Sequence, residues 1–127
     1  MSYLSLNQLT VYKLSCEYSE ECWKIYYKEL DWREKHIIGD QMIRGVDSVG
    51  ANIAEGYGRF HYLDKIKFYY NSRGSLFESK HWFDLLFKRG FINQEKYFQL
   101  MNYYTEIQKC LNGLINSAYK NKNGIIS

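Results

Sequence analysis

The sequence contains no proline, so nothing in it stops a helix by removing a backbone donor. No stretch approaches the ~20 apolar residues that a membrane-spanning helix needs. Met1 to Thr10 has neither the basic start nor the apolar run of a secretory leader. Strand-like alternation, internal repeats and low-complexity segments are missing as well. The three cysteines, Cys16, Cys22 and Cys110, are odd in number and lack C-x-x-C spacing, which makes a poor disulfide framework. These absences point to a cytoplasmic chain with no membrane partner. Lys and Arg never run longer than two, and 17 basic against 14 acidic residues leave a net charge of +3. That balance permits nucleic-acid binding without implying it.

Rings are plentiful instead: 13 Tyr, 7 Phe and 3 Trp among 127 residues. This suits a thin helical bundle whose buried rings keep a polar edge at the surface. A chain of this length forms one domain and buries about two-thirds of its unfolded surface.

Apolar spacing predicts four helices, at about residues 7–30, 33–56, 62–89 and 94–118. In the first, Leu9, Tyr12, Cys16, Ser19, Trp23, Tyr26 and Leu30 step by three and four, so they share one stripe. Asn7 is the expected N-cap, and Cys16 the expected small core residue. Asp31 and Glu34 approximate a capping box for the second helix, whose stripe is Ile38, Met42, Val46, Val49 and Ile53. Gly45, Gly50, Ala51 and Ala54 beside it should let another helix approach closely. Leu63, Ile66, Tyr69 or Tyr70, Leu76, Phe83 and Leu86 or Phe87 form the third apolar face, ended by Gly90 as a C-cap. Asn93 caps the fourth helix, with Tyr97, Leu100, Tyr104, Ile107, Leu111, Leu114 and Ala118 as its stripe. Residues 119–127 are expected to fray. Short connections force neighbours to run antiparallel, so the expected fold is all-α, an up-down-up-down four-helix bundle.

Chemistry-bearing patterns are sparse. Glu78-x-x-His81 has the spacing found in di-iron bundles, but those sites need a second such motif, which is absent. His36, His61 and His81 have no Ser or Cys at a spacing that suggests nucleophilic catalysis. The expectation is therefore no enzyme, no metal and no cofactor. Glu55 and Arg59 are placed for an i, i+4 ion pair. An antiparallel hairpin turning near residue 60 brings Arg44 level with Glu78, which predicts a contact between them, with Asn52 and Glu55 hydrogen-bonding near the turn. Arg59, Lys65, Lys67 and Arg73 surround the start of the third helix, interleaved with Tyr57, Phe60, His61, Tyr62, Tyr69 and Tyr70. Cations contact phosphates and rings stack on bases, so this set is a candidate nucleic-acid surface. The competing reading is a solvated face whose rings serve core or subunit packing.

Asn52-Ile53-Ala54-Glu55-Gly56-Tyr57-Gly58-Arg59, followed by Gly74-Ser75-Leu76-Phe77-Glu78, resembles the hallmark of the 23S ribosomal RNA intervening-sequence proteins. Gln41-Met42-Ile43-Arg44 and Gly90-Phe91-Ile92 extend the likeness, which spans about Leu9 to Asn116. The structural motif carried over is Arg44, Asn52, Glu55, Gly56, Gly74 and Glu78. The chain departs at His61, where the family often opens the helix with Ser or Thr, at Asp64-Lys65, where it often has Glu-Phe, and at Ser72, where it has Ala. The resemblance implies a homo-oligomer, a pentamer of bundles. It also implies a possible RNA, DNA or reverse-transcriptase-like partner. The alternative expectation is a purely structural, self-assembling protein-interaction module.

Overall fold

The computed structural model describes residues 4–121. A short 3-10 turn, Leu6–Gln8, precedes α1, Thr10–Lys28. The second helix, α2, starts at Trp32–Glu34, passes through a π-helical turn at Lys35–Gly39 and continues as Asp40–Tyr57. Then come α3, Tyr62–Lys88, and α4, Gln94–Lys120. Among the described residues there is no strand.

Side-chain pairings fix the direction of each helix. Going down α3, Tyr69 meets Gly56, Ser72 Oγ donates to Val49 O at 2.8 Å, and Ser79 lies against Gly45. The numbers rise on one helix as they fall on the other, so α2 and α3 are antiparallel. The Phe83–Tyr97 and Arg73–Asn112 pairs show the same for α3 and α4. Ser19–Asp47 and Tyr26–Asp40 do so for α1 and α2, and Tyr18–Tyr103 and Glu21–Gln99 close the square between α1 and α4. The bundle is up-down-up-down.

Local chemistry sets the helix ends. Asp31 and Glu34 form a reciprocal capping box, each side chain accepting the other's N–H at 2.9 Å. Asn93 accepts from Lys96 N–H at 2.8 Å. Gly90 ends α3 at φ +80°, with Gly90 N–H donating to Phe87 O and Phe91 N–H to Leu86 O at 2.8 Å. This double return is a Schellman cap, whose left-handed residue carries no Cβ penalty only as glycine. Gly90→Ala should lower stability by about 1 kcal/mol in urea denaturation.

The first helix is rotated from its expected setting. Its buried residues are Val11, Ser15, Tyr18, Cys22 and Ile25, whereas Cys16 and Trp23 are exposed. Asn7 lies inside the 3-10 turn rather than capping α1; Ser5 forms the box with Gln8. All five residues of the α2 stripe are buried. On α3 the seam runs through Ile66, Tyr69, Ser72, Leu76, Ser79, Phe83 and Leu86, and Leu63 faces out. The serines explain how α3 sits so close to α2: they are small, and their hydroxyls are satisfied. Ser79 donates to Leu76 O at 2.6 Å, so Tyr18 donates its own hydroxyl to Ser79 at 2.7 Å. Gly45 meets the α3 backbone at Ser79, and Gly50 meets Ser15 of α1. Tyr119 and Lys120 belong to α4, while residues 122–127 of the expected frayed tail lie outside the described residues.

Burial pushes the Tyr18 and Tyr69 hydroxyls and the Cys22 thiol well above their usual ionisation ranges. The native state thus holds these protons longer than the unfolded chain does. Stability is intact below the unfolded values of about 8.5 for Cys and 10 for Tyr. Above them it falls by up to ~1.4 kcal/mol per pH unit per group. Burial lowers Lys65, which works in the opposite sense, but this is a half-buried group and its contribution is minor. The thermal midpoint at pH 11 should lie about 10 °C or more below that at pH 8, followed by circular dichroism.

Candidate functional site

The α2–α3 turn sits at one end of the bundle and carries most of the expected site. Gly58 N–H donates to Ala54 O at 3.2 Å, ending α2. His61 opens α3, its Nδ1 accepting from Leu63 N–H at 3.2 Å. The imidazole thus caps α3 as a Ser or Thr side chain would.

Three of the four candidate basic residues are engaged within the chain. Arg59 donates to Glu55 at 2.6 Å and lies over the Phe68 ring at 4.9 Å. Lys65 Nζ donates to Tyr57 O at 2.9 Å, satisfying a carbonyl at the end of α2, and burial depresses its ionisation. Arg73 donates to Asn112 Oδ1 at 3.0 Å and covers the Tyr70 ring at 4.7 Å. Lys67 is exposed, its Nζ 5.9 Å from the centre of the Phe68 ring. At about 100° per residue, Lys65 and Arg73 share one side of α3 and Lys67 faces roughly the other. Arg59 and Lys65 therefore hold the turn, Arg73 ties α3 to α4, and the set does not converge on one point.

The Glu55–Arg59 pair forms as the spacing predicts. The expected Arg44–Glu78 contact does not, although Gly45 and Ser79 place the two residues level. Both side chains are exposed, and Glu78 instead accepts from Trp82 Nε1 at 3.2 Å. An exposed pair returns too little Coulomb energy to hold two long side chains together. Asn52 stays within its helix, donating to Ser48 O at 2.9 Å and to the Ser48 hydroxyl, which pairs with Ser75 across the α2–α3 seam. Gly56 is needed for packing, since a Cβ there would lie 2.8 Å from the Tyr69 ring. Gly74 faces open space.

On the far side of the bundle, Asp84 accepts from Lys80 Nζ at 2.6 Å and from Tyr97 Oη at 2.7 Å. These bonds push the Lys80 and Tyr97 ionisations up and lock α3 to α4. Among the described residues, no group of His, Cys, Asp and Glu is arranged to hold a metal ion, and no helix is long and apolar enough to cross a membrane.

Large apolar side chains facing solvent stand out at both ends. Trp32 is 73% exposed, Ile37 63% and Tyr27 61% at the end where α1 passes into α2. Lys35 lies 5.3 Å above both the Tyr26 and Tyr27 rings there. The π-helical turn shapes this end: Gly39 packs so tightly against Tyr26 and Leu30 that a Cβ would meet them at 3.0 Å. At the other end Phe60 is 85% exposed and Leu63 54%. A signal for these was present in the sequence. Trp32 and Ile37 fall off the 38-42-46-49-53 stripe, at positions that a lone bundle would fill with polar residues.

A family model described as 23S rRNA-intervening sequence protein matches residues 7–113. Among solved structures, the chain is similar to a protein of unknown function from the S23 ribosomal protein family of Bacteroides thetaiotaomicron VPI-5482. The two share 26% identity over 84% of this chain and 96% of that one, with a TM-score of 0.79. No curated protein matches.

Proposed function

The chain belongs to the 23S rRNA-intervening sequence protein family, and from that premise we propose that it acts without catalysis, as a cytoplasmic, self-assembling helical bundle that presents a binding surface. The observation that carries this is the set of rings and aliphatic groups facing solvent at both ends, led by Phe60, Trp32, Ile37 and Tyr27. Tyr27, Trp32 and Ile37 gather at the α1–α2 end, and apolar groups exposed together mark places where proteins meet. The assembly proposed is the pentamer that the family resemblance implies. Cys22, the most shielded thiol, is held protonated by burial, which suits a core residue and not a nucleophile. Sedimentation velocity tests assembly: one discrete boundary heavier than a monomer is expected, little changed by salt because the contacts are apolar. A monomer boundary would remove the proposal.

Exposed cations and rings beside the α2–α3 turn favour a second reading, contact with RNA or DNA. Lys67 and Arg59 both lie near the Phe68 ring there, and a ring of subunits would repeat the set. Since Lys65 and Arg73 hold the fold, the informative variant is Arg59→Ala with Lys67→Ala. It should weaken binding and flatten its salt dependence, while the wild type should bind most tightly near ~50 mM salt. No RNA or DNA binding at that salt removes this reading and leaves assembly standing.

A further inference from the structure

Two features of the surface fit each other, and they cannot meet within one chain. The first is a knob, the turn from Gly58 to His61 with Leu63 one step beyond. Phe60 at its tip is 85% exposed, so it touches almost nothing of its own molecule. The second is a groove of about 280 Å³ between α1 and α2. Its lining includes the buried Val46 and Ser15, the small residues Gly50, Ala51 and Ala54, the exposed Cys16, and the acidic Glu20 and Asp47. Ala51 and Ala54 were expected to admit another helix of the same bundle. They instead border this open space.

Charge matches the two. Beside the knob, Arg59, Lys65 and Lys67 outnumber Glu55 and Asp64 by one, with Arg59 paired to Glu55. Glu20 and Asp47 line the groove, and Glu17 continues the acidic side along α1 with Lys13 as the one cation beside it, so the groove side stays net negative. Opposite charges around an apolar centre steer and register a docking contact.

We infer that the groove receives the Phe60–Leu63 turn of a second copy of this chain. The inference rests on the self-assembly reading and assigns its interface. Because knob and groove are different surfaces, the contact is heterologous: each copy gives a knob to one neighbour and a groove to the other. Such contacts repeat head to tail, closing into a ring or continuing as a filament.

Two surface variants test this without touching the core. Phe60→Glu removes the knob but keeps the groove. Ala51→Trp fills the groove but keeps the knob. Each alone should elute as a monomer of 15.3 kDa by light scattering, with an unchanged helical spectrum. Mixed in equal amounts, they should form a species of two copies and no larger, because one knob and one groove remain intact. A symmetric, self-matching interface predicts no such rescue. Independently, Phe60→Cys in the wild-type background should form an intermolecular disulfide with the native Cys16 under mild oxidation. That bond should vanish when Cys16→Ser is added. An assembled wild type whose variants keep its full mass, or whose Phe60→Cys form does not crosslink through Cys16, overturns the inference while leaving self-assembly intact. A monomeric wild type instead removes self-assembly itself.

Discussion

Cys22→Asp should leave the chain unfolded or molten at 25 °C, while Cys16→Asp, less than two turns earlier on the same helix, should shift the thermal midpoint by only a few degrees. Cys22 is fully buried in the core and Cys16 faces out. The site already resists charge, because burial, with Asp47 and Glu21 nearby, raises the Cys22 thiol. An aspartate there must either stay protonated against its ordinary range or bring an unpaired carboxylate into the core. Either outcome costs about 4 kcal/mol or more. That is comparable with the whole stability of an ordinary domain, about 5–15 kcal/mol. The exposed change at Cys16 stays within about 0.5 kcal/mol. Far-ultraviolet and near-ultraviolet circular dichroism of both variants read the contrast. Equal damage at the two positions would mean that α1 is not rotated as described.

The second large effect separates two glycines of the family motif. Gly56→Leu should destabilise by roughly 3 kcal/mol, and Gly74→Ala should stabilise by about 0.5–1 kcal/mol. A side chain at Gly56 runs into the Tyr69 ring at 2.8 Å and Phe68 Cβ at 3.0 Å. Tyr69 is itself buried and cannot swing away. Nothing lies within 4 Å of a Cβ at Gly74, so alanine there only removes the conformational freedom of an unfolded glycine. Urea titration of the two variants gives both signs. If Gly74→Ala stabilised the monomer but blocked assembly, Gly74 would be serving a contact between copies.

The helices α2 and α4 were legible because their aliphatic residues repeat cleanly. Ile38, Met42, Val46, Val49 and Ile53 leave one setting of the helix, and the bundle uses it. In α1 two adjacent faces are apolar. Tyr12, Trp23 and Tyr26 compete with Val11, Tyr18 and Ile25, and spacing alone cannot rank them. Tertiary packing chose the second set because the hydroxyl of Tyr18 finds Ser79 on α3 and Ser15 lets Gly50 approach. Helix ends were legible at Asp31, Gly90 and Asn93, where the cap is local, but not at the first helix, where Asn7 lies inside the 3-10 turn that Ser5 caps. The π-helical turn was not, since it depends on the fit of Gly39 against Tyr26 and Leu30.

The candidate site shows the same boundary. Glu55–Arg59 is a contact between neighbours on the chain, and the spacing alone predicted it. The partners of Lys65 and Arg73, the Tyr57 carbonyl and Asn112, are set by how helices end and pack, so two basic residues that looked available are spoken for. Arg44 and Glu78 are level but both exposed, and level alone does not join them. The knob and groove were out of reach of the sequence because neither is a motif. One is a turn with a ring on its tip, and the other is the space that small side chains leave.

Light scattering of the wild-type chain at micromolar concentration bears most directly on the central claim, that these bundles function as assemblies of like copies. One discrete species is expected, with a mass two or more whole times 15.3 kDa. A single species of 15.3 kDa would contradict it.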